Sequence, residues 1–489
     1  MKPEPGDLLD CAGKPLLWLR GRKSVRVRVT DRREAKAGPS PPQSKWARRR
    51  LRPCGFDKAR VRGPENAVTY ADALAYLQSL RMFGFQPGLE TTRRLAAAVG
   101  NPHERLRFLH VAGTNGKGSV CAMLESVHRA AGRRVGLYTS PHLVRFGERI
   151  QVNRAPIPDA DLARHVATLR DAVAKLPGLD PTFFEFTTVL ALMHFAEQRV
   201  DLVVWETGLG GRLDATNIVT PLASVITNIG WDHQKVLGAT LPAIAAEKAG
   251  IIKPGVPVLT ATQDSEARAV IEWKARELDA PCLTIGPSEL ANFRLEVGLL
   301  GAHQRVNATL AAATVRLLRV FLPVTDEQLA AGLKHVTWPG RLQTIVRGPQ
   351  TLLLDGAHNR DGVATLTAAL RDHFPGRRPT LVLGALADKD WREMAQALVP
   401  LAGRVITAPV ASGRTVSAEE LRAACVATGA GRPVKAAASA AEALRLCAAD
   451  PFVLVTGSLY FLGEILEVLG QSQPVGAEER SLNEWSPPR

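Results

Sequence analysis

The stretch "VAGTNGKGS", residues 111–119, places three glycines, a lysine and a serine directly after an apolar run. Such a loop suits phosphate. Glycines let backbone N–H groups approach the oxygens, the lysine supplies a positive charge, and a following helix adds the positive end of its dipole. The spacing departs from the common G-x-x-x-x-G-K-[ST] form, because Gly118 follows Lys117 and Ser119 comes one place late. Three more positions could handle the charge of a bound phosphate. Ser140 in "YTSPHL", Glu206 in "WETGLGGRLDATN" and His233 in "TNIGWDH" each stand where the chain leaves an apolar run. A hydroxyl, a carboxylate and an imidazole could ligate Mg²⁺, although imidazole is an unusual ligand for so hard an ion. Read singly, Glu206 can equally be a helix-capping acid and His233 a core histidine.

These side chains need a scaffold that gathers strand ends. Apolar, β-rich runs occur at 108–111, 134–139, 201–206, 223–229, 351–355, 380–386, 404–408 and 452–458. Between them lie segments of helical period, such as 119–132, where Val120, Leu124, Val127 and Ala131 share a face and Gly132 suits a stop. This alternation predicts an α/β fold with parallel sheets covered on both faces. Open sheets of that kind bind ligands beyond the carboxyl ends of their strands. The turn-rich "TWPGR" at 337–341 separates two such series. The reading is therefore an N-terminal domain over 66–345 that carries the glycine loop and a smaller domain over 346–470, with an unstructured tail at 471–489.

Composition excludes several classes. Of 489 residues, 46% are hydrophobic and 22% charged, as in globular proteins, and no apolar run is long enough to span a membrane. The start of the chain lacks a signal-peptide apolar stretch, and the six cysteines are scattered without a C-x-x-C, which together point to the cytoplasm. The net charge of +15 is uneven: residues 1–65 hold 18 Lys/Arg against 7 Asp/Glu, leaving only +4 on the rest. The leader 1–65, with "KWARRRLRP" and "GPSPPQ", reads as a disordered basic arm rather than a nucleic-acid or membrane contact.

From about Tyr70 to about Val468, eight ordered motifs carry a resemblance: "HVAGTNGKGSV", "YTSPHLVRFGERIQVN", "ETGLGGRLDATN", "DHQKVLGATLPAIAAEKAGIIK", "WPGRLQ", "DGAHN", "LGALADKD" and "TGSLYF". The chain resembles the folylpolyglutamate synthases, including the bacterial type that is also a dihydrofolate synthase, within the Mur ligase superfamily. The displaced serine of the glycine loop is characteristic of these ligases. The resemblance implies a P-loop-type Mur ligase ATPase domain followed by a smaller Rossmann-like glutamate ligase domain. It implies ATP-dependent amide formation, in which a folate or dihydropteroate carboxylate becomes an acyl phosphate that the amine of L-glutamate attacks.

The resemblance also assigns residues. Thr114, Asn115, Gly116, Lys117, Gly118 and Ser119, with Asn307, Arg341 and Asp355, match the nucleotide site. Ser140, Glu206 and His233 match Mg²⁺ ligands. Lys248 matches a lysine carried as a carbamate that would hold a second Mg²⁺; the bland reading is a surface charge pair with Glu247. Phe85, Gln86, Pro87, Thr182, Phe183, Phe184, Glu185, Leu213, Asp214 and Ala215 fall where the family holds the pterin end of its substrate. His358 and Ser458 resemble residues near the glutamate site, as do Asp388 and Lys389 more loosely. Lys117, Lys248, His358 and Ser458 are the catalytic set. Expected partners are ATP, Mg²⁺ at two positions with K⁺ as a further cation, L-glutamate, and a reduced folate or dihydropteroate, in a monomer that contacts neither membrane nor nucleic acid. Another Mur-type ligase, such as a cell-wall peptide synthetase, is the competing enzyme reading, and a non-catalytic nucleotide-binding module is the third.

Overall fold

The computed structural model describes residues 68–80 and 87–483. The leader 1–65, with Phe85 and Gln86, lies outside these residues. The first sheet is built from β1 (Phe108–Ala112), β2 (Val135–Tyr138), β3 (Ile150–Val152), β4 (Ala155–Pro156), β5 (Leu202–Glu206), β6 (Ala223–Ile226), β7 (Val258–Thr260) and β8 (Cys282–Thr284). Its spatial order is β4-β3-β2-β5-β1-β6-β7-β8. The pairs from β2 to β8 are parallel, and the β3–β4 hairpin closes one edge antiparallel. The second sheet holds β9 (Gln343–Arg347), β10 (Gln350–Asp355), β11 (Thr380–Leu383), β12 (Arg404–Thr407), β13 (Val434–Ala436) and β14 (Phe452–Thr456). Its order is β13-β12-β11-β14-β10-β9, parallel except for β9.

Strand periodicity explains why these runs are apolar throughout. Successive side chains point to opposite faces, so a strand with helices on both sides buries every residue. In β1, Leu109 and Val111 join the core shared with the Lys117–Ala130 and Ala302–Leu317 helices. Phe108 points the other way, into the core shared with the Tyr70–Ser79 and Phe183–Glu197 helices. The second sheet divides likewise, with Leu353 and Leu381 on one face and Leu352, Leu354 and Val382 on the other. All eight apolar runs read from the sequence are strands. The six not anticipated, β3, β4, β7, β8, β9 and β13, lie toward the sheet margins, and are either only two or three residues long or, in β9, largely exposed.

Two expectations need correction. The helix after the glycine loop starts at Lys117, two residues earlier than its apolar period indicates, because Gly116 takes the left-handed backbone at its cap. Ser119 to His128 are all buried, since the helix is packed against both the sheet and neighbouring helices, so no single apolar face exists. The tail is also not unstructured up to Asn483. Residues Ala477–Ser481 form a helical turn, and Leu482 is buried in the same core as Leu74 and Phe146. Glu479 accepts the Tyr70 hydroxyl at 2.7 Å, which ties down a segment too polar to show a hydrophobic period. Among the described residues no helix is long and apolar enough to cross a membrane.

Candidate active site

The glycine loop joins β1 to the Lys117–Ala130 helix at the carboxyl end of the sheet. A Cβ on Gly113 would sit 1.8 Å from Thr227 Oγ1, so only glycine lets the loop lie this close to the end of β6. The loop is held from that side: Asn115 N donates to Asn228 Oδ1 at 2.8 Å, and Thr227 Oγ1 to the Asn115 carbonyl at 2.7 Å. Gly116 and Gly118 leave room for Asn307 and Trp338, whose side chains a Cβ would strike at 2.7 and 2.9 Å. Lys117 Nζ bends back over the loop to the Gly113 and Thr114 carbonyls at 3.0 and 3.1 Å. Ser119 is buried and accepts from Gln304 Nε2 at 3.2 Å.

The acidic and basic groups cluster beside this loop. Glu206, at the end of β5, is buried and accepts the Ser140 N–H at 3.0 Å. Burial pushes its carboxyl up to about 7 against the opposing charge of Lys117. Lys248, on the Leu241–Ala249 helix, is buried and donates to the Gly113 carbonyl at 2.9 Å. Burial, helped by Lys117, pulls its amine down to about 7. Its neighbour Glu247 pairs instead with Arg212 at 2.8 Å, so the surface-pair reading of Glu247 and Lys248 fails. His233 has a left-handed backbone, and burial lowers its imidazole to about 4 against the pull of Asp232. Burial works to raise Asp232, but Lys389, His233 and His358 outweigh it and hold the carboxyl below the usual range. Asp232, Asn228 and Thr227 were not assigned from the sequence, although all three stand in the quoted "TNIGWDH".

Residues from the second sheet close over the loop. A cavity of about 660 Å³ is lined by the glycine loop, Ser140, Glu206, His233, Lys248 and Asn307 together with Arg341, Asp355 and His358. Asp355 is buried and accepts the Leu342 and Ala357 N–H groups at 2.9 and 3.0 Å, so it fixes the two loops that carry Arg341 and His358. Asn359 Nδ2 reaches Asn115 Oδ1 at 3.2 Å and Asp232 Oδ2 at 3.4 Å, a bridge from the second sheet to the glycine loop.

A second cavity, of about 310 Å³, is lined by Thr182, Phe183, Phe184, Glu185, Leu213, Asp214 and Ala215, and across from them by Asp388, Lys389 and Ser458. Several of these polar side chains are already engaged. Thr182 and Glu185 form a reciprocal cap on the Phe183–Glu197 helix, with Glu185 Oε2 accepting Thr182 N at 2.8 Å. Asp214 accepts the Leu209 and Thr216 N–H groups at 2.8 and 3.0 Å and shapes the glycine-rich turn. Ser458 caps the Leu459–Val468 helix, accepting the Tyr460 N–H at 3.2 Å. Phe184 leaves its ring over Gly208, where a Cβ would lie 2.4 Å from Cζ. Pro87 is exposed, and Gly88 beside it lines the cavity instead. Sequence reading also missed Arg149 and Arg414, which line this cavity.

Ser140, Gly208, Leu209, His233 and His358 are walls of both cavities, so the two meet there. His358 Nδ1 contacts the Gly356 carbonyl at 2.8 Å. A carbonyl only accepts, so Nδ1 carries the proton. Burial, with Lys389, lowers this imidazole to about 4. His358 is therefore neutral near pH 7 and Nε2 keeps its lone pair.

The chain matches the Mur ligase middle domain over residues 111–315 and the Mur ligase glutamate ligase domain over 340–459. It is 37% identical over 428 residues to the dihydrofolate synthase/folylpolyglutamate synthase of Bacillus subtilis, covering 81% of this chain and 98% of that one. The chain belongs to the folylpolyglutamate synthase/dihydrofolate synthase family of Mur ligases. Solved structures of the family superpose on it. The Mycobacterium tuberculosis folylpolyglutamate synthase complexed with ADP and AMPPCP gives a TM-score of 0.74 at 30% identity, covering 83% of this chain and 100% of that one. E. coli FolC in complex with DHPP and ADP gives 0.74 at 31% identity, covering 84% and 99%. As a member of this family the chain is an ATP-dependent ligase that joins glutamate to folates, and the cell-wall peptide synthetase reading is not favoured.

Proposed function

We propose that ATP occupies the larger cavity, that a pterin-bearing acid occupies the smaller one, and that they react where the cavities meet, at Ser140, His233 and His358. The single observation carrying this reading is the set of walls shared by the two cavities. The acid is a reduced folate, and dihydropteroate as well. A carboxylate oxygen of the acid attacks the γ-phosphorus of ATP, the bond to the bridging oxygen breaks, and ADP leaves. The amine of L-glutamate then attacks the acyl carbon of the acyl phosphate, gives up a proton, and phosphate departs, leaving an amide.

Phosphoryl transfer of this kind needs positioning and charge neutralisation rather than a protein nucleophile. Lys117 and the loop amides meet the phosphates from the first sheet, and Arg341 meets them from the second. Neutral His358 accepts a hydrogen bond at the junction, Ser458 shapes the wall beside it, and Lys389 with Arg414 draws in the carboxylates of glutamate. The ring of Phe184 offers a flat apolar face for the pterin.

The donor set fits Mg²⁺. Glu206 is a carboxyl that burial raises to about 7, a cost that a cation beside it would offset, and Ser140 and His233 stand in the same cavity. These three residues would hold the ion, which would supply charge neutralisation on phosphate oxygens. Lys248 fits the carbamate reading for a related reason. An amine lowered to about 7 is neutral in a substantial fraction of molecules near pH 7, so its lone pair can add to CO₂ with loss of one proton. The resulting anion would suit a second Mg²⁺.

The test is ADP release from ATP with tetrahydrofolate, dihydropteroate or a muramyl nucleotide, each with and without its amino acid. Release that needs a pterin acid together with L-glutamate is expected. Transfer of ¹⁸O from the acid's carboxylate to phosphate is the signature of the acyl phosphate, and unlabelled phosphate would rule that intermediate out.

A further inference from the structure

The segment Gly476–Asn483 follows the stretch matched by the glutamate ligase domain, yet it touches both halves of the site. Toward the first sheet, Glu479 Oε1 accepts the Tyr70 hydroxyl and the Phe146 N–H, each at 2.7 Å, and Gln78 Nε2 donates to Ser481 Oγ at 3.0 Å. Toward the second, Arg480 pairs with Glu467, and the Tyr460 hydroxyl donates to the Asn483 carbonyl. Leu482 and Asn483, both buried, form part of the wall of the smaller cavity.

Asn483 has two side-chain partners. Its Nδ2 donates to the His142 carbonyl at 2.8 Å, and its Oδ1 accepts Arg149 Nη2 at 2.8 Å. Arg149 is itself buried, donates from Nε to His142 Nδ1 at 2.8 Å, and lies over the Phe183 ring at 5.5 Å. Both acceptors are neutral. Among the described residues no carboxylate pairs with this guanidinium. Glu148 and Glu206 act on it without a direct ion pair, and a buried cation with no paired anion is costly, so such a site is completed by a ligand that brings one. Arg149 lines the cavity assigned above to a carboxylate-bearing acid.

We infer that Gly476–Asn483 is a strap completing the acid-substrate cavity, and that Asn483 is a positioning residue which holds Arg149 to receive the non-reacting carboxylate of a folate. This rests on the assignment of the smaller cavity to the pterin acid. Tetrahydrofolate carries two carboxylates and only one is activated, so the other needs a cation. The neutral amide of Asn483 matters for that purpose: it orients the guanidinium without cancelling its charge.

The test uses the full chain with tetrahydrofolate, ATP and L-glutamate. Asn483→Ala should raise KM for tetrahydrofolate by about tenfold, the usual scale for one misplaced charged hydrogen bond, while KM for ATP and for glutamate stays within about twofold. Asn483→Asp separates positioning from packing. It keeps an acceptor for Arg149 but neutralises the cation and loses the donor to the His142 carbonyl, so in the folded variant tetrahydrofolate KM should rise at least as far. A strap that only holds the fold together would lower Tm in both variants and leave the tetrahydrofolate KM of the folded protein normal. Unchanged tetrahydrofolate KM in both folded variants overturns the inference, and so does a rise confined to glutamate KM. Absence of turnover by the wild-type chain would instead strike the functional reading beneath it.

Discussion

Lys248 Nζ and Lys117 Nζ both donate to the Gly113 carbonyl oxygen, at 2.9 and 3.0 Å. Two ammonium groups sharing one acceptor repel each other, and Lys248 is the buried one that gives way. A lysine that loses its proton so readily is suited to carbamylation. Lys248→Arg should therefore be nearly inactive, because a guanidinium keeps the charge and has no free lone pair to take up CO₂. The loss should fall mainly on kcat. Wild-type kcat in a folded Lys248→Arg protein would remove the carbamate from the account.

Lys117 and Arg341 enter the larger cavity from different sheets. Lys117→Ala and Arg341→Ala should each cut kcat/KM for ATP by roughly tenfold to a hundredfold, since a hydrogen bond from a charged group is worth about 1.5–3 kcal/mol. Thermal stability of the Lys117 variant should change little. Normal turnover of Lys117→Ala at ordinary ATP levels would contradict the phosphate-loop assignment.

Gly208 lies under the Phe184 ring, with no room for a methyl group. Gly208→Ala should displace the ring and raise KM for the pterin acid more than KM for ATP, by about tenfold against less than twofold in order-of-magnitude terms. An unchanged KM for the pterin acid would mean that Phe184 is core rather than a pterin platform.

Acid should destabilise the fold through buried histidines outside the site. Both ring nitrogens of His128 lack a hydrogen-bond partner among the described residues, and burial lowers its imidazole to about 3. His110 is lowered to about 3 in the same way. In each case the folded value lies below the unfolded one, so between the two the unfolded chain binds more protons. Stability is intact above about pH 6.5 and falls as pH drops below it. Urea unfolding at about pH 7.5 and about pH 5.5 should differ by on the order of 1 kcal/mol for each such histidine. His128→Leu should narrow that difference, and an unchanged difference would show that His128 does not remain neutral.

Much of the fold was legible because its central strands are buried on both faces, which leaves unbroken apolar runs such as "DLVVWE" and "FVLVTGS". Strands at the margins carry less of the core, and β9, with Val346 exposed, shows no such run. In the site, the glycines marked the tight loop after β1, because Gly113 and Gly116 occupy backbone or space denied to other residues. Burial of a charge was not legible: "AEKAG" gives no sign that Lys248 turns inward while Glu247 turns to Arg212. Nor was the division of labour within "TFFE", where Thr182 and Glu185 cap a helix and Phe184 faces the cavity. Contacts between distant segments, such as Asn359 with Asn115, depend on how the two sheets meet and leave no local trace.

The most direct measurement is the mass of the product formed from tetrahydrofolate, ATP and L-glutamate by the purified protein. The account predicts a product heavier than its acid substrate by whole glutamyl residues, with one ADP released for each residue added. Unmodified tetrahydrofolate, with ADP released regardless of whether glutamate is present, would contradict it.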